Sequence, residues 1–134
     1  MDTTPRISFD FDGTLGERHI QLIAAAMIAA GYDVWIVTSR CDDRIQKPDM
    51  ALINSWNRDL FSVAERLNIP PEKIVMTEGD FKWRTIERLN IDLHFDDVPE
   101  EVELIIRNNR KAVLIWDEFC SASIKHEQFG KSIF

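Results

Sequence analysis

Five short apolar runs alternate with amphipathic stripes along most of this chain, and that alternation restricts the fold more than any other feature. A continuous apolar run of four to eight residues is the pattern of a strand covered on both faces. Apolar positions recurring every three or four residues are the pattern of a helix with one buried face. The runs are 6–11, 33–38, 73–77, 91–96 and 111–116. Between them lie four stripes. Ile20, Ile23, Ala24, Met27 and Ile28 form the first, with Gly31 as its stop. Ile53, Trp56, Leu60, Val63, Ala64 and Leu67 form the second, which Pro48 is placed to open. Trp83, Ile86 and Leu89 form the third, with Asp80 as the expected cap, and Val98, Val102, Ile105 and Ile106 the fourth. Strand–helix alternation without repeats predicts a parallel sheet with helices on both faces. Trp35, Trp56 and Trp116 are expected in its core, and His94 is expected to be a structural strand residue.

In such sheets, ligands bind beyond the carboxyl ends of the strands. The polar residues at those ends are Asp10 and Asp12, Thr38 and Ser39, and Asp96 and Asp97. Asp10 and Asp12 are two apart, so in extended chain their side chains start on the same side. Two carboxylates about 4 Å apart repel by roughly 4 kcal/mol at an effective dielectric near 20. Three or four in one crevice therefore call for a cation. All-oxygen ligands suit magnesium, which also takes substrate phosphate.

That combination points to phosphate ester chemistry. One ionised carboxylate can attack phosphorus and form an aspartyl-phosphate. A second, protonatable carboxyl gives a proton to the leaving oxygen and later takes one from water. Asp10 and Asp12 fit these roles in that order. The phosphoryl oxygens need donors and positive charge, which Thr38 or Ser39 and Lys82 can supply. Gly13 permits the tight turn that brings backbone N–H groups close.

The net charge of −7 argues against a protein that coats nucleic acid, though not against one that touches a strand end. A chain of 134 residues with 45% hydrophobic composition is sized for one domain with a real core. No stretch approaches the roughly 20 apolar residues of a membrane span, and no signal peptide is seen. Two cysteines form neither a disulfide framework nor a zinc pattern, so a cytoplasmic setting is expected.

The run Asp10-Phe11-Asp12-Gly13-Thr14 matches Asp-x-Asp-Gly-Thr, the first motif of the haloacid dehalogenase (HAD) superfamily of phosphohydrolases. Ile36-Val37-Thr38-Ser39-Arg40 looks like its second motif, Lys82 like the third-motif lysine, and Phe95-Asp96-Asp97 like the fourth, with Glu101 as a trailing acid. The chain thus resembles this superfamily from about residue 6 to 117. The resemblance implies a Rossmannoid three-layer α/β/α sandwich on a five-stranded parallel sheet. It implies Asp10 as nucleophile and Asp12 as acid/base, Mg2+ as cofactor, and phosphate contacts from Gly13, Thr38, Ser39 and Lys82. The metal would be held by Asp10, by the backbone carbonyl of Asp12 and by Asp97, with help from Asp96. Lys73 competes with Lys82 for the lysine role. Arg40, Trp83 and Arg84 are candidate substrate contacts.

The spacing between motifs leaves no room for a full cap domain, the element that usually selects substrate in this superfamily. The expected organisation is a capless core over 1–118 and a tail or short helix over 119–134. Capless relatives often act on macromolecular ends or complete their sites by oligomerising. A weaker likeness to polynucleotide 3′-phosphatase modules leaves two substrate classes open, a small phosphomonoester (nucleotide or sugar phosphate) and a nucleic-acid 3′-phosphate end. Two other functions stand as alternatives. A receiver-like phosphoacceptor domain would present its phosphorylated Asp at the third strand, where this chain has Met76-Thr77-Glu78. A non-catalytic phosphate-binding module has no sequence feature in its favour.

Overall fold

The structure is a computed structural model and describes residues 3–44 and 55–115. Pro48, Ile53, Trp116, the boundary at residue 118 and the segment 119–134 lie outside the described residues. The described chain runs β1 (Arg6–Phe9), α1 (Arg18–Ala29), β2 (Asp33–Thr38), α2 (Arg58–Arg66), β3 (Ile74–Met76), α3 (Trp83–Arg88), β4 (Leu93–Asp96), α4 (Pro99–Arg107) and β5 (Ala112–Leu114). The strands form one parallel sheet in the order β3-β2-β1-β4-β5.

Alternation along the strands sorts the core into two layers. Ile7, Phe9, Val34, Ile36 and Ile74 point to one face, where they pack with Ile20 and Ala24 of α1 and Leu60, Phe61, Val63 and Ala64 of α2. Trp35 and Val37 point to the other, with Ile86 of α3, Ile105 of α4 and Ile91. Helices on both faces of a five-stranded parallel sheet make the HAD-like Rossmannoid α/β/α sandwich that the sequence pattern predicts. Phe9 and Phe95, neighbours on β1 and β4, stack with ring centroids 4.9 Å apart.

The helices end as their residues dictate. Gly31, Asn68, Asn90 and Asn109 all take positive φ just past a helix. The next amide then bonds back into the last turn, as Ile91 N does to Ile86 O at 3.0 Å. Two local expectations differ from the structure. Trp56 is 57% exposed because α2 begins only at Arg58, so the helical phase that would bury it does not reach residue 56. Asp80 does not cap α3, whose N-cap position is Lys82. Asp80 instead lies in a turn, where its carbonyl accepts from the Thr77 hydroxyl at 2.6 Å. Among the described residues no helix is long and apolar enough to cross a membrane.

Ile36 is fully buried in the centre of β2, facing α1 and α2. Ile36→Ala is expected to cost about 2–5 kcal/mol, read as a lower urea midpoint at unchanged slope. A loss below about 1 kcal/mol would show that this layer is not the packed core described.

Candidate active site

The chain crosses from β3 to β4, so the two halves of the sheet meet between β1 and β4, and the crevice at the carboxyl ends of these two strands is the topological switch point. Asp10 follows β1, Asp96 closes β4, and Asp97 follows it. The Asp10 amide donates to Phe95 O at 2.8 Å, which continues the β1–β4 pairing to the nucleophile candidate. Residues 11–15 then form one wide turn, closed by Leu15 N to Asp10 O at 3.0 Å and Gly16 N to Phe11 O at 2.7 Å. Gly13 sits in this turn at φ +75°, and a Cβ there would lie 2.0 Å from Asp97 Oδ2. Glycine is thus required twice, for its backbone conformation and for the space that Asp97 occupies.

Lys82 holds the cluster together. Its side chain is 2% exposed, and Nζ donates to Asp10 Oδ1 at 2.8 Å and to Asp96 Oδ2 at 2.6 Å. Its backbone N–H donates to Glu101 Oε1 at 3.0 Å, which fixes the start of α3 against α4. Lys73 instead pairs with Asp33, where β2 begins. Asp96 Oδ2 also meets His94 Nε2 at 2.8 Å, and Asp96 Oδ1 accepts from Val98 N at 3.0 Å. His94 Nδ1 lies 2.7 Å from Ser8 Oγ. Burial holds His94 below its ordinary pKa. The neutral ring then donates from Nε2 to Asp96 and accepts from the serine at Nδ1.

Asp10, Asp96 and Asp97 each offer a carboxylate oxygen within 4.8 Å of the others. Burial pushes the Asp10 carboxyl up to about 8, against the lowering effect of Lys82, with Asp96 and Asp97 adding to the rise. Lys82 alone therefore does not neutralise the group. Asp97 Oδ1 is buried with no hydrogen-bond partner among the described residues. An orphaned carboxylate oxygen beside two more acids fits a hard divalent cation. Asp10 and Asp97 have the free oxygens for it, whereas Asp96 is already occupied by Lys82, His94 and Val98.

The two aspartates of the first motif diverge. Asp10 is buried, but the Asp12 side chain is 64% exposed and lies outside the three-carboxylate group. The chain leaves the strand after Phe9, so the same-side geometry of extended backbone does not carry to residue 12. Arg40 grips Asp12 with two hydrogen bonds, Nε to Oδ2 at 2.9 Å and Nη2 to Oδ1 at 2.7 Å. It grips Asp59 with two more, at 2.7 and 2.9 Å, and stacks 4.8 Å over the Phe11 ring. Thr38 is buried at the end of β2, next to β1, and Ser39 is exposed just beyond it. Trp83 and Arg84 border a separate cavity of about 310 Å3 with Thr77, Asp80 and Phe81. Sequence reasoning missed Asp59, which has no motif around it. His94 is the structural strand residue that the sequence predicts, and its two-residue spacing puts it on the same strand face as Asp96.

No family model and no curated protein matches this chain. Among solved structures it is similar to one from Vibrio cholerae provisionally assigned as a 3-deoxy-D-manno-octulosonate 8-phosphate phosphatase. Identity is 16% and the TM-score 0.38, over 84% of this chain and 75% of that one. A likeness this distant carries no functional argument, which rests on the site itself.

The raised Asp10 pKa gives a pH dependence. In the metal-free protein the fold binds this proton more tightly than the unfolded chain does. The group thus stabilises at low pH, and that contribution is lost as pH rises toward about 8. Glu101, raised by burial, acts in the same sense. His94 acts oppositely, but only below about pH 6.5. The melting temperature of metal-stripped protein is therefore expected to fall between about pH 7 and 8.5, and magnesium to flatten the fall. A melting temperature that rises across this window without metal would contradict the site as described.

Proposed function

We propose that this chain is a magnesium-dependent phosphomonoesterase of the HAD superfamily, working through an aspartyl-phosphate on Asp10. The observation that carries this reading is the buried Asp10–Lys82–Asp96 bridge, with the unpartnered Asp97 Oδ1 beside it at the switch point of the sheet. A structural ion pair gains nothing from an additional orphaned acid, whereas a site for a cation and a phosphoryl group needs one. The order of the four motif segments supports the same family.

In the proposed reaction an Asp10 oxygen attacks phosphorus, the ester P–O bond breaks, and the leaving oxygen takes a proton from Asp12. Water then attacks the phosphorus of the aspartyl-phosphate while Asp12 accepts its proton. The Asp10 O–P bond breaks, and inorganic phosphate leaves with Asp10 restored. Magnesium, held by Asp10, Asp97 and the Asp12 carbonyl with Asp96 beside them, would supply charge to the phosphoryl oxygens. Lys82 lies against the nucleophile and balances part of that charge. Gly13, Thr38 and Ser39 belong to the proposed phosphate cradle. Asp12 is paired with Arg40 here, so it must swing off the guanidinium to reach a leaving oxygen.

The substrate on this reading is a small phosphomonoester or a 3′-phosphorylated strand end, and self-association would suit a core without a cap. A cytoplasmic setting goes with it. The receiver alternative has no structural support of its own, because Thr77 stands where β3 would present the phosphorylated Asp.

Asp10→Asn is expected to lower phosphate release from an aryl phosphate in magnesium more than about a thousandfold, and EDTA to stop the unmodified protein. Asp10→Asn turnover within tenfold of the unmodified protein, or activity that survives chelation, would overturn the assignment.

A further inference from the structure

A cavity of about 490 Å3 opens between α1 and α2, with Asp12 and Gly13 in its lining. Its size lies within the roughly 300–1,000 Å3 of small-molecule sites. Gly13 also lies against Asp97 of the cluster, yet neither Asp10 nor Lys82 nor Asp97 is among the described residues that line the cavity. In an in-line displacement the leaving oxygen departs on the side of phosphorus opposite the nucleophile. The proton donor must stand on that side too. A cavity that touches Asp12 and not Asp10 is therefore placed for the leaving group, which the Asp12 carboxyl meets once it turns off Arg40.

The walls say what kind of leaving group. Glu17 and Gln21 come from the α1 side, and Asp59, Ser62 and Arg66 from α2. Arg66 Nη2 reaches Gln21 Oε1 at 3.5 Å, so the two walls meet through a pair of groups that can each turn to a ligand. Arg40 bridges Asp12 and Asp59, which leaves Glu17 and Arg66 as the unbridged charges of the wall, one of each sign. The lining thus offers many donors and acceptors, and with one Arg40 cation shared by Asp12 and Asp59 its balance stays slightly negative. A polynucleotide end would bring further phosphates against Glu17 and Asp59, with Arg66 as their one cation on these walls. A nucleobase would need an aromatic face. Phe11 is the aromatic residue lining this cavity, and it is 4% exposed with the Arg40 guanidinium over its ring.

We propose that this cavity is the leaving-group subsite and that it takes a neutral, hydroxyl-rich alcohol, so that the substrates are sugar or polyol monophosphates rather than nucleotides or nucleic-acid ends. Gln21 and Arg66 are its specificity-determining residues. Hydroxyl groups donate to Glu17 and the Gln21 carbonyl and accept from Arg66, Ser62 and the Gln21 amide. The inference rests on the phosphatase reading above.

The test compares the full chain with magnesium on 4-nitrophenyl phosphate, a hexose 6-phosphate, glycerol 3-phosphate, a nucleoside 5′-monophosphate and a 3′-phosphorylated oligonucleotide. The expected result is a kcat/KM for the sugar or polyol esters at least tenfold above both nucleic-acid substrates. In Arg66→Met, and independently in Gln21→Leu, KM for the preferred ester is expected to rise at least fivefold with kcat changed less than twofold. Arg66→Lys is expected to recover part of the loss. Both positions are on helix surfaces, and unchanged melting curves would identify folded variants. Turnover of no ester at all would remove the phosphatase reading and this subsite with it. Turnover of the aryl ester with nucleotides or the oligonucleotide preferred would overturn the subsite alone. So would folded Arg66→Met and Gln21→Leu variants whose sugar-ester KM is unchanged.

Discussion

The ammonium group of Lys82, buried between Asp10 and Asp96, is the contact on which the rest of the site depends. Removing a cation and two carboxylates from water costs several kcal/mol per ion, and their mutual attraction seldom returns more than that. Such a group is therefore poor evidence of stabilisation and better evidence of positioning. Everything around Lys82 fixes it in place. Glu101 holds its backbone, and β1 and β4 bring the two carboxylates to it from adjacent strands. Behind Asp96 a hydrogen-bonded line continues through His94 to Ser8, all on the α3/α4 face of the sheet. That line consumes the lone pairs of Asp96 and keeps its carboxylate aimed at Lys82. Asp97, one residue on, is left with the free oxygen.

This division of labour between neighbouring acids follows from strand geometry. Asp96 is the last residue of β4 and obeys the alternation that puts His94 and Asp96 on one face. Asp97 lies past the strand, against Gly13 of the β1 turn. Two adjacent carboxylates thus serve different partners. Asp96 is bound into the protein, and Asp97 is available to a cation. On the proposed reading, a bound cation would make the charge that burial opposes on Asp10 tolerable and would let the group act as a nucleophile near neutral pH. The proposed cation would answer the electrostatic requirement that the acidic cluster creates and Lys82 only half meets.

Much of this was readable from residue pattern. Runs of apolar residues located all five strands because a sheet covered on both faces has no polar alternation to blur them. The polar residues ending those runs located the crevice, whereas the choice between Lys82 and Lys73 was open in the sequence and is separated by their ion pairs, Lys82 with Asp10 and Lys73 with Asp33. What escaped the sequence depended on where regular structure stops. Asp12 turns away from Asp10 because the strand ends at Phe9. Trp56 is exposed because α2 starts two residues later. Asp59 binds Arg40 across 19 positions of chain, a pairing that no local spacing encodes. The cavity between α1 and α2 is likewise a product of packing, and single residues such as Gln21 and Arg66 carry no motif that would mark it.

The central claim is that Asp10 receives the phosphoryl group, and trapping tests it most directly. The Asp12→Asn chain, mixed with an activated aryl phosphate and magnesium and quenched in acid, should hold one phosphoryl group per chain. Peptide mass mapping of the acid-stable adduct, or of its borohydride-reduced product, should place that group on Asp10. A phosphoryl group mapped to another residue, such as Asp97, Thr77 or His94, would contradict the account, as would turnover of the ester with no adduct on Asp10.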